Sequence, residues 1–260
     1  MKGLMPADLN IVLLEMNLTW ESAEVNKKAI EQRLEKLPGH IDLVVLPEMF
    51  TTGFSMQPQQ FAERMSGESV RWMQQLAVQH QIGIAGSLAI REEEQYFNRF
   101  ILAHADGQCD YYDKRHLFGM GGEVDAYHSG DNNGIISFKG WKICLRICYD
   151  LRFPVWCRNR DDYDVLLFTA NWPNPRIQAW DTLLQARAIE NMSYTIGVNR
   201  TGTDPKGNYY PGHSAAYNPL GKKISEIEGD WYFARLSAAS LQQLREQLPF
   251  LQDRDRFEMG

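Results

Sequence analysis

Three apolar runs of strand length, each closed by a polar or reactive residue, constrain this chain more than any other feature. "DLVVLPE" (42–48) ends on Glu48, "KICLRIC" (142–148) on Cys148 and "DVLLFTAN" (164–171) on Asn171. Between such runs lie segments of helical period. Residues 21–37 carry Ala23, Ala29, Ile30, Leu34 and Leu37, and residues 68–80 carry Val70, Met73, Leu76 and Ala77. Strands that alternate with helices predict an α/β chain, in which reactive groups gather where a strand gives way to a loop or helix.

The rest of the chain fits that reading. "DLNIVLLEM" (8–16) is a first strand. "IGIAGSLAI", "NRFILAHA" and "CDYYDK" follow one another closely, which predicts an antiparallel meander inserted into the βα alternation. "GIISFKGWKICLRIC" reads as a hairpin turning at Lys139-Gly140, and a helix opens at Pro154, since proline suits the first helical position. A helix is expected over 177–191, then the strand "YTIGVNR", hairpins around Pro219–Gly221 and Gly229–Asp230, and a closing helix over 240–248. Neither a repeat nor a long linker interrupts the pattern. A single domain spanning 1–260 is expected, with a mixed sheet or two stacked sheets between helix layers.

Composition narrows the function classes. The 260 residues are enough for a sizeable core. A net charge of −6 with no basic block argues against nucleic acid as the main partner. No run reaches the ~18 apolar residues of a membrane span. Asp8, Asn10 and Glu15 interrupt the N-terminal apolar stretch, so a membrane partner is not expected and the cytoplasm is the expected compartment. Cys109, Cys144, Cys148 and Cys157 form no CxxC pair and read as free thiols.

Individual residues leave alternatives open. Glu48 is either an exposed strand-terminal carboxylate or a general base in an apolar surround. Lys114, in "YYDKRHLFGMGGE", is either a solvated turn residue or a cation held beside Tyr111, Tyr112, Leu117 and Phe118 to stabilise a transition state. Cys148 is either a buried small side chain or a nucleophile at a strand end, and a nucleophile would need a base to generate its thiolate.

Taken together, "LVVLPEMFTTGF", "YDKRHLF", "ICYDLRFP", "FTANWP", "LLQARAIENMSYTIGVNRTG" and "GHSAAYNPLG" resemble, in order and nearly end to end, the nitrilase (carbon–nitrogen hydrolase) superfamily. That resemblance implies a four-layer α-β-β-α sandwich, commonly paired into a homodimer. It also implies a Glu–Lys–Cys triad falling on Glu48, Lys114 and Cys148, with Glu123 as a second carboxylate whose alternative is an exposed loop position. "TTGFSMQ", "GMGGE" and "YDLRFPVWCRN" look most like the bacterial omega-amidases, which act on 2-oxoglutaramate and 2-oxosuccinamate. One departure is visible: Val155-Trp156 follow the "RFP" proline where many relatives carry Glu.

The implied chemistry is amide hydrolysis through a Cys148 thioester, with the Tyr149 N–H and Lys114 holding the oxyanion and no metal or organic cofactor. Phe118 and Trp172 are expected to wall the pocket, and Arg176, in "NWPNPR", to meet the carboxylate of a small-molecule substrate. Arg152 is expected to brace the helix start through an acidic partner, and Arg146 has no evident task. An N-carbamoyl-amino-acid hydrolase or aliphatic nitrilase would use the same triad. A non-catalytic scaffold or thiol-redox protein is the alternative from another class.

Overall fold

The computed structural model describes residues 5–229 and 231–258. Strands β1 (Leu9–Leu13), β2 (Leu43–Val45), β3 (Gly83–Glu92), β4 (Gln95–Ala103) and β5 (Cys109–Asp113) build one sheet. Strands β6 (Ile135–Phe138), β7 (Trp141–Ile147), β8 (Val165–Ala170) and β9 (Tyr194–Asn199) build a second. Strands β10 (Thr201–Thr203) and β11 (Tyr209–Pro211) form a separate ribbon, β12 (Ala215–Tyr217) joins the second sheet, and β13 (Glu226–Glu228) and β14 (Trp231–Leu236) return to the first. The orders are β13-β14-β1-β2-β3-β4-β5 and β12-β9-β8-β7-β6.

The helices are α1 (Ala23–Leu34), α2 (Pro58–Phe61), α3 (Glu68–His80), α4 (Glu123–Ala126), α5 (Pro154–Cys157), α6 (Ile177–Asn191) and α7 (Ala238–Gln247). Alternation along the strands decides which layer each side chain joins. Leu43, Val45, Phe100 and Leu102 of the first sheet meet Leu145, Ile147, Leu167 and Ile196 of the second. On the opposite face of the first sheet, Val44, Ile84 and Ile101 pack with Ile30 and Leu34 of α1 and Met73 and Leu76 of α3. On the outer face of the second, Leu166 and Phe168 pack with Trp180, Leu184 and Ala188 of α6. The result is the expected α-β-β-α sandwich.

Local chemistry accounts for the elements that position the site. The β3-β4-β5 meander is antiparallel, as the close succession of runs predicts. The β6–β7 hairpin turns at Lys139 (φ 48°) and Gly140 (φ 84°), the pair of left-handed residues that a two-residue turn requires. Pro154 stands at the first position of α5, but the helix lasts a single turn. A 3₁₀ turn over Cys148–Arg152 comes before it, which the apolar pattern did not show. The hairpin expected around Gly229–Asp230 is present as β13 and β14, and Asp230 itself lies outside the described residues.

A direct bond ties the sheets together beside the site: the buried Thr169 Oγ1, on β8, donates to the Leu46 carbonyl just beyond β2, at 2.7 Å. Replacing Thr169 with the isosteric valine is expected to leave that carbonyl unpaired and to lower stability by about 1–3 kcal/mol. A reduced urea midpoint at unchanged slope is the measurement that checks it.

Candidate active site

The strand ends of both sheets converge on one buried cluster. The first sheet contributes Glu48 after β2, Asn98 on β4 and Lys114 after β5, and the second contributes Cys148 after β7 and Asn171 after β8. Glu48, Lys114 and Glu123 are all fully buried, so the exposed alternatives for these three residues do not hold.

Lys114 Nζ lies 3.0 Å from Glu48 Oε1 and 2.9 and 2.8 Å from the two oxygens of Glu123. Asn98 Nδ2 donates to Glu48 at 2.8 Å and to Glu123 at 3.1 Å. The second Glu48 oxygen accepts the Asn171 backbone N–H at 2.8 Å, and the Phe118 N–H donates to Glu123 at 2.6 Å. Burying two carboxylates and one ammonium is tolerable only with this degree of hydrogen-bond satisfaction. Burial opposes the Lys114 charge, but Glu123 and Glu48 outweigh it and raise the pKa, so the ammonium persists. The Glu123 pKa is raised as well, by burial first, while Lys114 partly counters. The aromatic face that meets Lys114 is that of Phe54, with Nζ 5.2 Å from the ring centroid, a residue that sequence reading did not name.

Cys148 is half-buried, with a left-handed backbone (φ 43°) that costs a non-glycine residue of order 1 kcal/mol or more. The side chain therefore stands on a sharp elbow between β7 and the 3₁₀ turn. Its Sγ lies 3.9 Å from the Asn171 carbonyl. Burial, followed by the Glu48 carboxylate, pushes the thiol well above its ordinary value, while Lys114 pulls it down. Burial also pushes Cys109 and Cys144 up to about 11 and Cys157 up to about 12, and the charges acting on Cys144 and Cys157 are arginines and aspartates in place of the Glu48–Lys114 pair. Cys148 is thus distinguished by its neighbours and not by an intrinsically low pKa.

Asp150 locks the elbow. Its fully buried carboxylate accepts from Ile147 N (3.0 Å), Tyr112 OH (2.8 Å) and His116 N (3.1 Å), and pairs with His116 Nδ1 (2.8 Å). The segment carrying Lys114 is thereby tied to the segment carrying Cys148. Arg146, which sequence reading left unexplained, is buried and donates to the carbonyls of Asn133, Leu145 and Trp156, with its guanidinium over the Trp156 ring.

A cavity of about 260 Å³ opens onto Cys148. Tyr149, Phe118, Trp172 and Arg176 line it, as do Phe54, Asn171 and a ribbon wall of Asp204, Lys206, Asn208 and Tyr210. Glu48, Lys114 and Glu123 are packed behind it. Arg152 does not brace the helix through an acid. It lines the cavity with its guanidinium 5.0 Å from the Trp172 ring, and Arg176 is similarly 5.1 Å from the Phe118 ring. Neither makes an ion pair among the described residues. Asn98 and the ribbon wall were missed by sequence reading; Asn98 carried only the weak signal of an amide at the start of an apolar run. Among the described residues, no group of three His, Cys, Asp or Glu side chains is arranged to hold a metal ion.

The match to known proteins spans this whole assembly. The carbon-nitrogen hydrolase family model matches residues 13–246. A buried acid, ammonium and thiol at the strand ends of a double-sheet sandwich, matched over that length, place the chain in the carbon-nitrogen hydrolase family. It is 42% identical to the omega-amidase YafV of Escherichia coli K12 over 254 residues, 96% of this chain and 98% of that protein. It is 33% identical to the 2-oxoglutaramate amidase of Bacillus subtilis, covering 94% of this chain and 96% of that one. The crystal structure of XC1258 from Xanthomonas campestris, a CN-hydrolase superfamily protein with an arsenic adduct in its active site, superposes with a TM-score of 0.93 at 42% identity. That match covers 97% of this chain and 99% of the other. No described helix is long and apolar enough to cross a membrane.

The electrostatics predict opposite shifts for two substitutions. Glu48→Gln removes a negative neighbour and should lower the pH at which Cys148 becomes alkylated by iodoacetamide. Lys114→Gln removes a positive neighbour and should raise it. Site-resolved mass spectrometry across a pH series checks both signs.

Proposed function

We propose that this chain is an omega-amidase, one domain that hydrolyses the terminal amide of a 2-oxo-dicarboxylate monoamide to the 2-oxo acid and ammonia. The single observation that carries the reading is the pair of guanidinium groups, Arg152 and Arg176, that face the cavity from aromatic supports without a carboxylate partner. A planar guanidinium suits a carboxylate, and a monoamide of a short dicarboxylic acid carries one at the far end from its amide. Lys206 adds positive charge to the same wall. Asp204 pairs with neither arginine among the described residues: its carboxylate accepts instead from the N–H groups of Lys206 and Asn208, Asn208 Nδ2 and the Tyr210 hydroxyl, each at 2.9 Å. The similarity to the omega-amidase and 2-oxoglutaramate amidase supports the same substrate class.

In the proposed mechanism Glu48 takes the Cys148 proton, and the thiolate attacks the amide carbon. Proton transfer conserves the charge of the buried cluster, replacing a carboxylate by a thiolate beside the same ammonium. Lys114 and the Tyr149 N–H hold the tetrahedral oxyanion, and donors of this kind are typically worth about 3 kcal/mol each. Glu48 then returns its proton to the nitrogen, the C–N bond breaks and ammonia leaves. A water deprotonated by Glu48 hydrolyses the thioester, with Glu123 fixing Lys114 and the substrate end of the site. Phe118 and Trp172 wall the cavity and exclude bulk water.

A homodimer and a cytoplasmic location complete the proposal. Val155 on α5, Ile189 on α6 and Leu220 are about half exposed. Arg158, just after α5, donates to the Glu190 carbonyl of α6, and exposed apolar side chains of this kind are what a second copy would cover.

Ammonia release from 2-oxoglutaramate is expected to exceed that from glutamine, a carbamoyl amino acid or an aliphatic nitrile; preference for any of the last three overturns the substrate assignment. Cys148→Ala should lower kcat by about 10⁴-fold and abolish the acyl adduct that rapid-quench mass spectrometry detects during turnover. Arg176→Ala should raise KM for the carboxylated substrate by about tenfold or more while changing hydrolysis of butyramide little.

A further inference from the structure

The β8–β9 ladder stops at the pair Ala170–Asn199, and the backbone that follows Ala170 carries two groups beside the reacting pair. The Asn171 N–H donates to Glu48 Oε2 at 2.8 Å, and the Asn171 carbonyl lies 3.9 Å from Cys148 Sγ. With no strand pairing past Ala170, another group has to hold this segment, and the buried side chain of Asn199 does so. Its Oδ1 accepts the Trp172 N–H at 2.7 Å, and its Nδ2 donates to the Trp172 carbonyl at 2.9 Å. One amide thus closes on both backbone groups of Trp172, as a neighbouring strand would. The same Nδ2 donates to the Gly212 carbonyl, just beyond β11, at 2.7 Å, and Oδ1 also accepts the Arg200 N–H at 3.0 Å. Two donors and two acceptors use the full capacity of the amide and fix which way it points.

We propose that Asn199 is a positioning residue for the general base: by clamping Trp172 it holds the Asn171 N–H against Glu48. The inference rests on Glu48 taking the Cys148 proton, and Asn199 acts from outside the cavity lining. A backbone N–H cannot turn toward its acceptor on its own. Its direction follows from the chain on either side, here β8 before it and the clamped Trp172 after it. Lys114 and Asn98 donate to Glu48 Oε1, whereas among the described residues only Asn171 donates to Oε2. Without the clamp, Oε2 loses its donor for part of the time. A carboxylate that loses a donor keeps its proton to higher pH. The other titratable groups that act with Glu48, namely Lys114, Glu123, Cys148 and Tyr127, make no hydrogen bond to Asn199.

The acid limb of the pH profile of kcat/KM reads this proton in the free enzyme. In the full-length protein, Asn199→Ala should move that limb for 2-oxoglutaramate up by about one pH unit. Ser214→Ala is the control for a purely structural role. Ser214 Oγ accepts the Asn199 N–H at 3.0 Å and makes no hydrogen bond to Trp172, so its loss should lower the urea midpoint and leave the limb in place. An unmoved limb in Asn199→Ala overturns the assignment, as does an equal shift in Ser214→Ala. If Asn199→Ala does not fold, Asn199→Ser replaces it and the same results decide. Hydrogen exchange needs no substrate: in the variant the N–H groups of Trp172 and Asn171 should exchange about tenfold faster or more, with Leu167 on β8 unchanged. Exchange at Asn171 that keeps its original rate overturns the coupling. If 2-oxoglutaramate is not hydrolysed, the limb is read on butyramide. If neither amide is hydrolysed but Asn171 exchanges faster in the variant, the amidase reading fails and the clamp on the Glu48 donor stands.

Discussion

The buried ammonium of Lys114, held between two carboxylates, is the interaction on which the rest of the site depends. Glu48 comes from one strand end, Glu123 from a short helix after a glycine-rich turn, and Lys114 from the end of the meander, so the ion cluster joins Glu48 to a Lys114–Glu123 stretch that begins 66 residues further along the chain. A net negative charge buried in this way would be prohibitive without donors, and Asn98, the Asn171 backbone and the Phe118 N–H supply them. The sandwich makes that arrangement possible. Two sheets packed face to face bring the ends of β2, β5, β7 and β8 together, and bonds such as Thr169 to Leu46 hold them in register.

The same cluster gives one ordinary thiol out of four the surroundings that the proposed nucleophile needs. Burial raises the pKa of every cysteine, so no resting thiolate is stored. What sets Cys148 apart is a strained elbow that presents it to a cavity, a carboxylate able to take its proton and an ammonium that favours the resulting charge. Asp150 adds rigidity: three contacts tie the elbow to the lysine segment and a fourth, from Ile147 N, closes the turn itself, so one buried carboxylate positions both Cys148 and Lys114.

Much of the fold was legible in the sequence because burial leaves a period. The helices over Glu68–His80 and Ile177–Asn191 fall where the pattern placed them, and so do the meander and the Lys139-Gly140 turn. Short elements were not legible. The 3₁₀ turn after Cys148 and the one-turn helix at Glu123 are too brief for any period to develop, and the β10–β11 ribbon is mostly polar. Arg152 was misread for a related reason. Arg152 lies beside Asp150 in the chain, but that carboxylate is saturated by other donors, and the guanidinium turns instead to the Trp172 face and the cavity.

By itself the sequence determined which segments become strands and helices, and which residues stand at strand ends where chemistry can occur. Those properties depend on spacing along the chain. Resemblance of the motifs then identified the family. Only the tertiary structure decided that Glu48, Lys114 and Glu123 share one buried hydrogen-bond network and that Arg152 and Arg176 face the cavity unpaired. These facts depend on which donors and acceptors meet across two sheets, and sequence separations of up to 123 residues carry no trace of that pairing.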